Sequence, residues 1–331
     1  MSSDPARSAR RVVVRAPGPA DALELEPFDP PPPGPGEVRV AHEAIGVNFI
    51  DVYFRSGLYP WPVERDLVPG CEAAGTVDAV GEGVAGFDIG ERVAYAVANG
   101  AYATHRNVAA SQLVSLPDAV TAEVAAGAML KGLTVRYLVD DSYAARPGDT
   151  VLFHAAAGGV GALAGQWLAA RGVVAIGTAG GPEKCALAAG NGFAHVIDYR
   201  GEDFVERVAE LTAGAGVDAV YDGVGRDTLA GSLACLKRFG TLVSFGQSSG
   251  PAEGFRISDL AAGSFRLQRP VLFHYTASRA WLEAGARELF DRLAAGTLRV
   301  PIGHRFGLDR ASDAHAALES RRTTGSTVLL P

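Results

Sequence analysis

The chain has 331 residues, room for about two domains at roughly 150 residues each, and its 48% hydrophobic and 20% charged content is ordinary for a globular protein. Lys plus Arg total 30 and Asp plus Glu 37, and the net charge of −7 argues against non-specific nucleic-acid binding and against docking on an anionic membrane. Three widely spaced cysteines, Cys71, Cys185 and Cys235, form no CxxC pair and favour neither a disulfide framework nor a cysteine-built zinc site.

Residues 1–10 read as a frayed tail with no apolar h-region of a signal peptide, and no window reaches the about 18 apolar residues of a membrane span, so a reducing cytoplasm is the expected location. Arg11–Arg15 is a short β-branched run. Residues 29–36, DPPPPGPG, exclude helix and inner strand and predict a rigid loop before a strand at Glu37–Val40. From there to about residue 116, short apolar runs broken by glycine predict an all-β module. The segment 121–141 reads as helical. Beyond Asp149 the pattern alternates. Strands are predicted at Thr150–His154, Val173–Thr178, His195–Tyr199, Val217–Tyr221 and Thr241–Phe245, with helices at Val160–Ala170, Pro182–Ala189 and Arg226–Arg238. Such alternation builds a parallel sheet covered on both faces. The tail predicts helices at 280–295 and 310–320 and strands near 299–306 and at Thr327–Leu330.

The sharpest motif is TVLFHAAAGGVGALAGQWLAARG, starting at Thr150. A strand runs into Ala156-Ala157-Gly158-Gly159-Val160-Gly161 and on into an amphipathic helix, the dinucleotide fingerprint with Ala in its first glycine position. Residues without Cβ let the backbone approach a pyrophosphate, whose charge then sits on the free N–H groups of the helix N-terminus. The second strand ends in TAGG, without the carboxylate that holds a ribose 2′-OH in NAD sites. Lys184 follows, one of only three lysines with Lys131 and Lys237, and supplies a cation for a 2′-phosphate. NADPH is therefore the expected cofactor.

The segments GVNFIDVYFRSGLYP (46–60), PGCEAAGTV (69–77), KGLTV (131–135), LFHAAAGGVG (152–161), YDGVGRDTL (221–229) and VSFGQSSG (243–250) and the ending LESRRTTGSTVLLP resemble the zeta-crystallin type of NADPH:quinone oxidoreductase, zinc-free members of the medium-chain dehydrogenase/reductase superfamily. The resemblance covers nearly the whole chain after residue 10. It implies an α/β fold in which a GroES-like β domain, residues 1–130 and 271–331, is interrupted by a Rossmann NADPH-binding domain, residues 131–270. It implies Asn48, Asp51 and Tyr137 beside the nicotinamide, and Gly159 and Val160 at the pyrophosphate, within the turn Gly158–Gly161. Gly180, Lys184 and Tyr199 would take the 2′-phosphate ribose. Gly223, Phe245, Gly246, Gln247 and Ser248 would line the cleft, with Arg269, Pro270 and Arg321 closing over it. Gly223 stands where relatives often carry Ser, and Gln247 where Asn is frequent.

Zinc-dependent relatives carry a Cys in the segment matching Gly46–Asp51 and Gly-His-Glu where this chain has Gly70-Cys71-Glu72. Here those positions hold Asn48 and Cys71, the four-cysteine run of a structural zinc is missing, and no metal is expected. A quinone needs no Lewis acid, because its ring accepts the electrons and aromatises. The protein then has to stack it and keep water out. The resemblance places Asn48, Tyr53 and Tyr59 at that task, and it implies a homodimer joined through Ser264–Phe273, where the last Rossmann strand forms a sheet edge. Two other readings stay open. One is an NADPH-dependent enone or enoyl C=C reductase, and the other an NADPH-binding structural or RNA-binding protein of the zeta-crystallin type.

Overall fold

The structure, a computed structural model, describes residues 9–331. Most of the expected frayed tail, residues 1–8, lies outside the described residues, whereas Arg10 already opens the first strand. The chain divides into two compact units, one of residues up to Leu133 together with Phe273–Pro331, the other Thr134–Leu272. Among the described residues no helix is long and apolar enough to cross a membrane.

In the first unit, β1 (Arg10–Val14) pairs antiparallel with β2 (Leu23–Pro27). After the proline run comes β3 (Glu37–Val47), whose Val38 and Val40 are buried while Arg39 turns out to Asp78. The strand is far longer than the expected Glu37–Val40, because Ala44, Ile45 and Val47 are buried as well. A helix, α1 (Phe49–Arg55), interrupts the all-β reading. Its aromatic and β-branched residues have modest helix propensity, and it starts at a cap in which the Asn48 N–H donates to Asp51 Oδ2 over 2.8 Å. Then follow β4 (Glu72–Val80), β5 (Arg92–Ala96), β6 (His105–Ala109), β7 (Leu113–Ser115) and α2 (Ala122–Arg136).

The second unit alternates strand and helix, with one helix, α5, beyond those expected: β8 (Thr150–Phe153), α3 (Gly159–Ala170), β9 (Val174–Ala179), α4 (Pro182–Gly190), β10 (His195–Asp198), α5 (Phe204–Leu211), β11 (Val217–Asp222), α6 (Leu229–Ala234), β12 (Leu236–Ser244) and β13 (Arg266–Gln268). Its sheet has the order β10-β9-β8-β11-β12-β13, every pair parallel, with β13 at an edge. One prediction is corrected here. The helix expected at Arg226–Arg238 ends at Ala234, and residues 236–238 already belong to β12. A bulge in β12 causes this. Its register against β11 jumps between Val217 and Ala219, and Phe239 adopts φ +65° inside it. The first unit resumes with α7 (Leu272–Thr276), α8 (Arg279–Ala294), β14 (Ile302–Gly307), α9 (Ala311–Glu319) and β15 (Ser326–Leu330). β15 completes the seven-stranded sheet by pairing with β3 and β14.

Three buried histidines make the fold sensitive to acid. Burial pushes His42 and His315 down to about 3, and lowers His154 as well. Each is neutral in the folded protein and gains a proton on unfolding once the pH is below its ordinary value near 6.5, so stability falls as pH falls. Asp51, pushed up to about 7 by burial, acts in the opposite direction over the same range. With one pKa unit worth about 1.4 kcal/mol, the net effect is a loss of roughly 1.4–2.7 kcal/mol per pH unit below about pH 6. Urea titrations at stepped pH measure this slope. Constant stability from pH 7 to pH 4 would contradict the neutral buried histidines.

Candidate functional site

In the second unit the strand order reverses between β8 and β11, and sheets of this kind bind ligands outside the carboxyl ends of their strands at that reversal. Gly158 is the N-cap of α3, and Gly159 and Val160 open the helix. A Cβ on Gly161 would stand 2.5 Å from the Ala155 carbonyl oxygen, so only glycine lets this turn close. The first N–H groups of the helix have no intrahelical partner, and a turn of this kind leaves its donors for an anion.

One strand over, Gly180 follows β9 and lies under Tyr199, where a Cβ would meet the phenol oxygen at 2.5 Å. Asp198 Oδ1 accepts from the Gly181 N–H at 2.8 Å and the Arg200 N–H at 3.1 Å, which ties the loops after β9 and β10 together. Those amides hold its carboxyl below the ordinary range. Asp198 is thus already engaged by backbone donors. Around the loops stand Lys184 in the first turn of α4 and the Arg200 guanidinium, 3.1 Å from where a Cβ on Gly181 would lie. Arg200 was missed in the sequence. Its only signal was a cation next to Tyr199.

The loops after β11 and β12 also meet. A Cβ on Gly223 would touch the Phe245 ring at 2.8 Å, one on Gly246 would touch the Gly223 oxygen at 2.6 Å, and the Ser248 N–H donates to that same oxygen at 3.2 Å. Gln247 lies between them, and its carbonyl accepts from the Gly250 N–H. Arg269, just past β13, is exposed and donates to the Ser244 carbonyl at 2.8 Å, with Pro270 buried behind it. Tyr137 is buried at the start of a π-helical turn, Tyr137–Ser142.

A buried network braces these strand ends. Asp222 accepts from the N–H groups of Val224 and Gly225 and from the hydroxyls of Thr228 and Ser232. Ser232 gives its proton to Asp222, so His154 Nε2–H donates to Ser232 Oγ at 3.0 Å, while Nδ1 accepts from Thr178 at 3.0 Å. The set has the composition of a Ser-His-Asp triad, but the serine proton points to the carboxylate and not to the histidine. It positions the loops of β8, β9 and β11 and has no nucleophile to offer.

In the first unit, Asn48 caps α1 and is buried at the end of β3. Its Nδ2 donates to Glu72 Oε1 at 2.8 Å. Lys131 Nζ donates to the same oxygen at 2.7 Å, and the Leu130 N–H to Glu72 Oε2 at 2.7 Å. Gly46 makes the approach possible, since a Cβ there would lie 2.2 Å from the Ala126 carbonyl oxygen and 2.3 Å from Glu72 Oε1. Asp51 is fully buried. Its Oδ2 accepts from the Asn48 N–H and from the Tyr102 hydroxyl at 3.2 Å. Tyr53 is buried and Tyr59 half-buried, their rings 5.2 Å apart, with Phe49 and Phe54 flanking them. Cys71 is buried, and burial pushes its thiol well up, so it is a neutral thiol here. Arg321, with φ +56°, follows α9 on the exposed surface. Glu72 and Lys131 were both missed as site residues.

Comparison with known proteins places this geometry. Residues 34–118 match the alcohol dehydrogenase GroES-like domain and residues 191–329 the zinc-binding dehydrogenase family. The chain is 49% identical to the quinone oxidoreductase of Pseudomonas aeruginosa, over 98% of its own length and all of that protein's. The chain belongs to the quinone oxidoreductase family of the medium-chain dehydrogenase/reductase superfamily. Another quinone oxidoreductase, the solved Escherichia coli structure complexed with NADPH, superposes with a TM-score of 0.95 at 44% identity, covering 97% of this chain and all of that one. A 2-haloacrylate reductase from Burkholderia is also similar, at 41% identity over 96% of this chain and 98% of that protein. As a family member the chain has the GroES-like and Rossmann folds expected from its sequence.

Proposed function

We propose that this quinone oxidoreductase family member is an NADPH-dependent enzyme that reduces small quinones without a metal. The observation that carries the reading is the loop pair after β9 and β10. It presents Lys184, Tyr199 and Arg200 where an NAD site would hold a carboxylate, while Asp198 is tied to backbone amides. NADPH, when bound, supplies the hydride. The Gly158–Gly161 turn takes its pyrophosphate, Gly180, Lys184 and Tyr199 its 2′-phosphate ribose, and Gly223, Phe245, Gly246, Gln247 and Ser248 complete the cradle, with Arg269 and Pro270 beyond β13. Asn48, Tyr53 and Tyr59 position the acceptor. Hydride addition turns a quinone into a hydroquinone anion, which solvent protonates, so the tyrosines need supply only a flat face and a hydrogen bond.

The metal-free reading rests on donor chemistry. Glu72 already receives an ammonium and an amide, and Cys71 is a thiol and not a thiolate. Its three unpaired cysteines suit a reducing cytoplasm. The edge strand β13, with Leu267 and Val271 partly exposed, supports a homodimer through Ser264–Phe273. Protein purified without added metal is expected to carry no stoichiometric zinc and to sediment as a dimer. One zinc per chain lost together with activity on chelation, or a monomer at micromolar concentration, would refute the respective claim.

The function is tested by NADPH oxidation against quinones, enones and 2-haloacrylates side by side. Quinones are expected to lead. Preference for 2-haloacrylate would instead favour C=C reduction, the activity named for the 41% identical Burkholderia relative. On the best quinone, Tyr53→Phe should keep most turnover and Tyr53→Ala lose more. A loss of about 10²–10⁴-fold in Tyr53→Phe would make that tyrosine a proton donor.

A further inference from the structure

Glu72 and Lys131 are a fully buried acid and a nearly fully buried base in the first unit. An ion pair in such a place is costly to desolvate, and hydrophobic residues of similar volume often serve the fold equally well. The pair therefore calls for a role other than stability, and its third partner supplies one. A carboxylate has no proton to donate, so only the Nδ2 end of the Asn48 amide can face it. Lys131 Nζ donates to the same Glu72 oxygen as the Asn48 amide, and the Leu130 N–H fixes the second oxygen, so both oxygens of Glu72 act as acceptors. The Asn48 backbone is held separately, by the Asp51 cap. Main chain and amide plane are thus both determined, and Oδ1 is turned away from Glu72.

We propose that the Glu72–Lys131 pair is a positioning device that holds Asn48 with Oδ1 presented as a hydrogen-bond acceptor to an N–H or O–H donor of a bound reactant. The inference rests on the reading of Asn48 as a site residue given above. Glu72 and Lys131 act through Asn48 and touch no reactant themselves. The donor belongs either to the nicotinamide carboxamide or to a hydroxyl of the reduced acceptor, and the two sources leave different kinetic marks.

The test exchanges the polarity of the pair. Asn48→Asp alone sets two carboxylates against each other and should cost roughly 100-fold or more, the scale of a lost charge-assisted hydrogen bond. Asn48→Asp combined with Glu72→Gln keeps the total charge: the new amide donates to the new carboxylate and keeps its own oxygen on the Leu130 N–H, Lys131 re-pairs from the amide nitrogen to the new carboxylate, and an oxygen still faces the reactant. It should recover to within about tenfold of the parent. NADPH affinity, read by fluorescence without any acceptor, and single-turnover reduction are measured on both variants, with melting temperature as the control for folding. Loss and recovery in NADPH affinity assign the donor to the cofactor, and in turnover alone to the acceptor. Failure of the parent to reduce quinones would refute the quinone reading and leave the affinity arm to decide this one. If both variants fold with the parent's melting temperature and the double is no better than the single, or if Asn48→Asp changes neither quantity, the positioning role is wrong. If the single variant does not fold, Lys131→Met with Glu72→Gln, a neutral pair that leaves Asn48 free to flip, must show the same loss in a folded protein or the proposal falls.

Discussion

Replacing Lys184 with alanine is expected to weaken NADPH binding by about 10- to 100-fold while hardly changing NADH binding. At the end of β9, Ala179-Gly180-Gly181 offers no carboxylate to a ribose 2′-OH and no repulsion to a 2′-phosphate. A charge-assisted hydrogen bond to phosphate contributes about 1.5–3 kcal/mol, and about 1.4 kcal/mol is tenfold in affinity. Lys184 is half-buried in the first turn of α4, where solvent screening is reduced. Arg200→Ala gives a second reading of the same pocket, because its guanidinium stands at Gly181. Fluorescence titration of both cofactors against both variants measures the effect. Equal losses for NADPH and NADH would show that Lys184 does not read the phosphate.

What could be read in the sequence was whatever lies close together along the chain. The strand-turn-helix at 150–171 is a single local object, and the expected Val160–Ala170 helix differs from α3 by one residue. Short helices were harder. α1 is seven residues of mostly aromatic and β-branched side chains, and it depends on a cap that could be recognised only from the Asn48–Asp51 spacing. α5 was passed over although Asp203 caps the N–H groups of Val205 and Glu206, a signal that was available. Leu236-Lys237-Arg238 continued the apolar and polar rhythm of the preceding helix, and only pairing with β11, across the bulge in β12 and through the ion pair of Lys237 with Asp218, decides that it is extended. Within the site, Asn48 was legible from a motif. Glu72 and Lys131 are 59 residues apart, and their pairing exists only after β4 and α2 have packed. Lys131 stood out as one of three lysines, but its partner could not be read from spacing.

Removing the carboxylate of Glu319 is expected to destabilise the first unit by about 3 kcal/mol, although Glu319 lies at the surface. Arg55, on α1, is buried with a side chain 2% exposed, and its two terminal nitrogens donate to Glu319 at 2.7 Å each in a fork. Its Nε donates to the Gly18 carbonyl at 3.1 Å. A guanidinium in that position cannot lose its proton, so without Glu319 it remains a buried charge. Breaking a buried pair costs about 3–5 kcal/mol, and the lower end applies because the Glu319 side chain is 38% exposed and partly screened. The same guanidinium orders a hydrogen-bond chain. Arg55 donates to His315 Nδ1 at 3.3 Å, which leaves the proton of the neutral imidazole on Nε2. Nε2–H then donates to the Tyr102 oxygen at 2.8 Å, and the Tyr102 hydroxyl to Asp51 Oδ2. The chain ends at the carboxylate that caps Asn48. Arg55→Met should therefore be milder for stability than Glu319→Ala, since it removes the charge and returns Glu319 to water, and the double variant should resemble Arg55→Met alone. Glu319→Ala should lower the melting temperature by roughly 6–12 °C. A shift within about 1 °C, or Arg55→Met proving the more damaging of the two, would show that water or the Gly18 carbonyl compensates the guanidinium without Glu319.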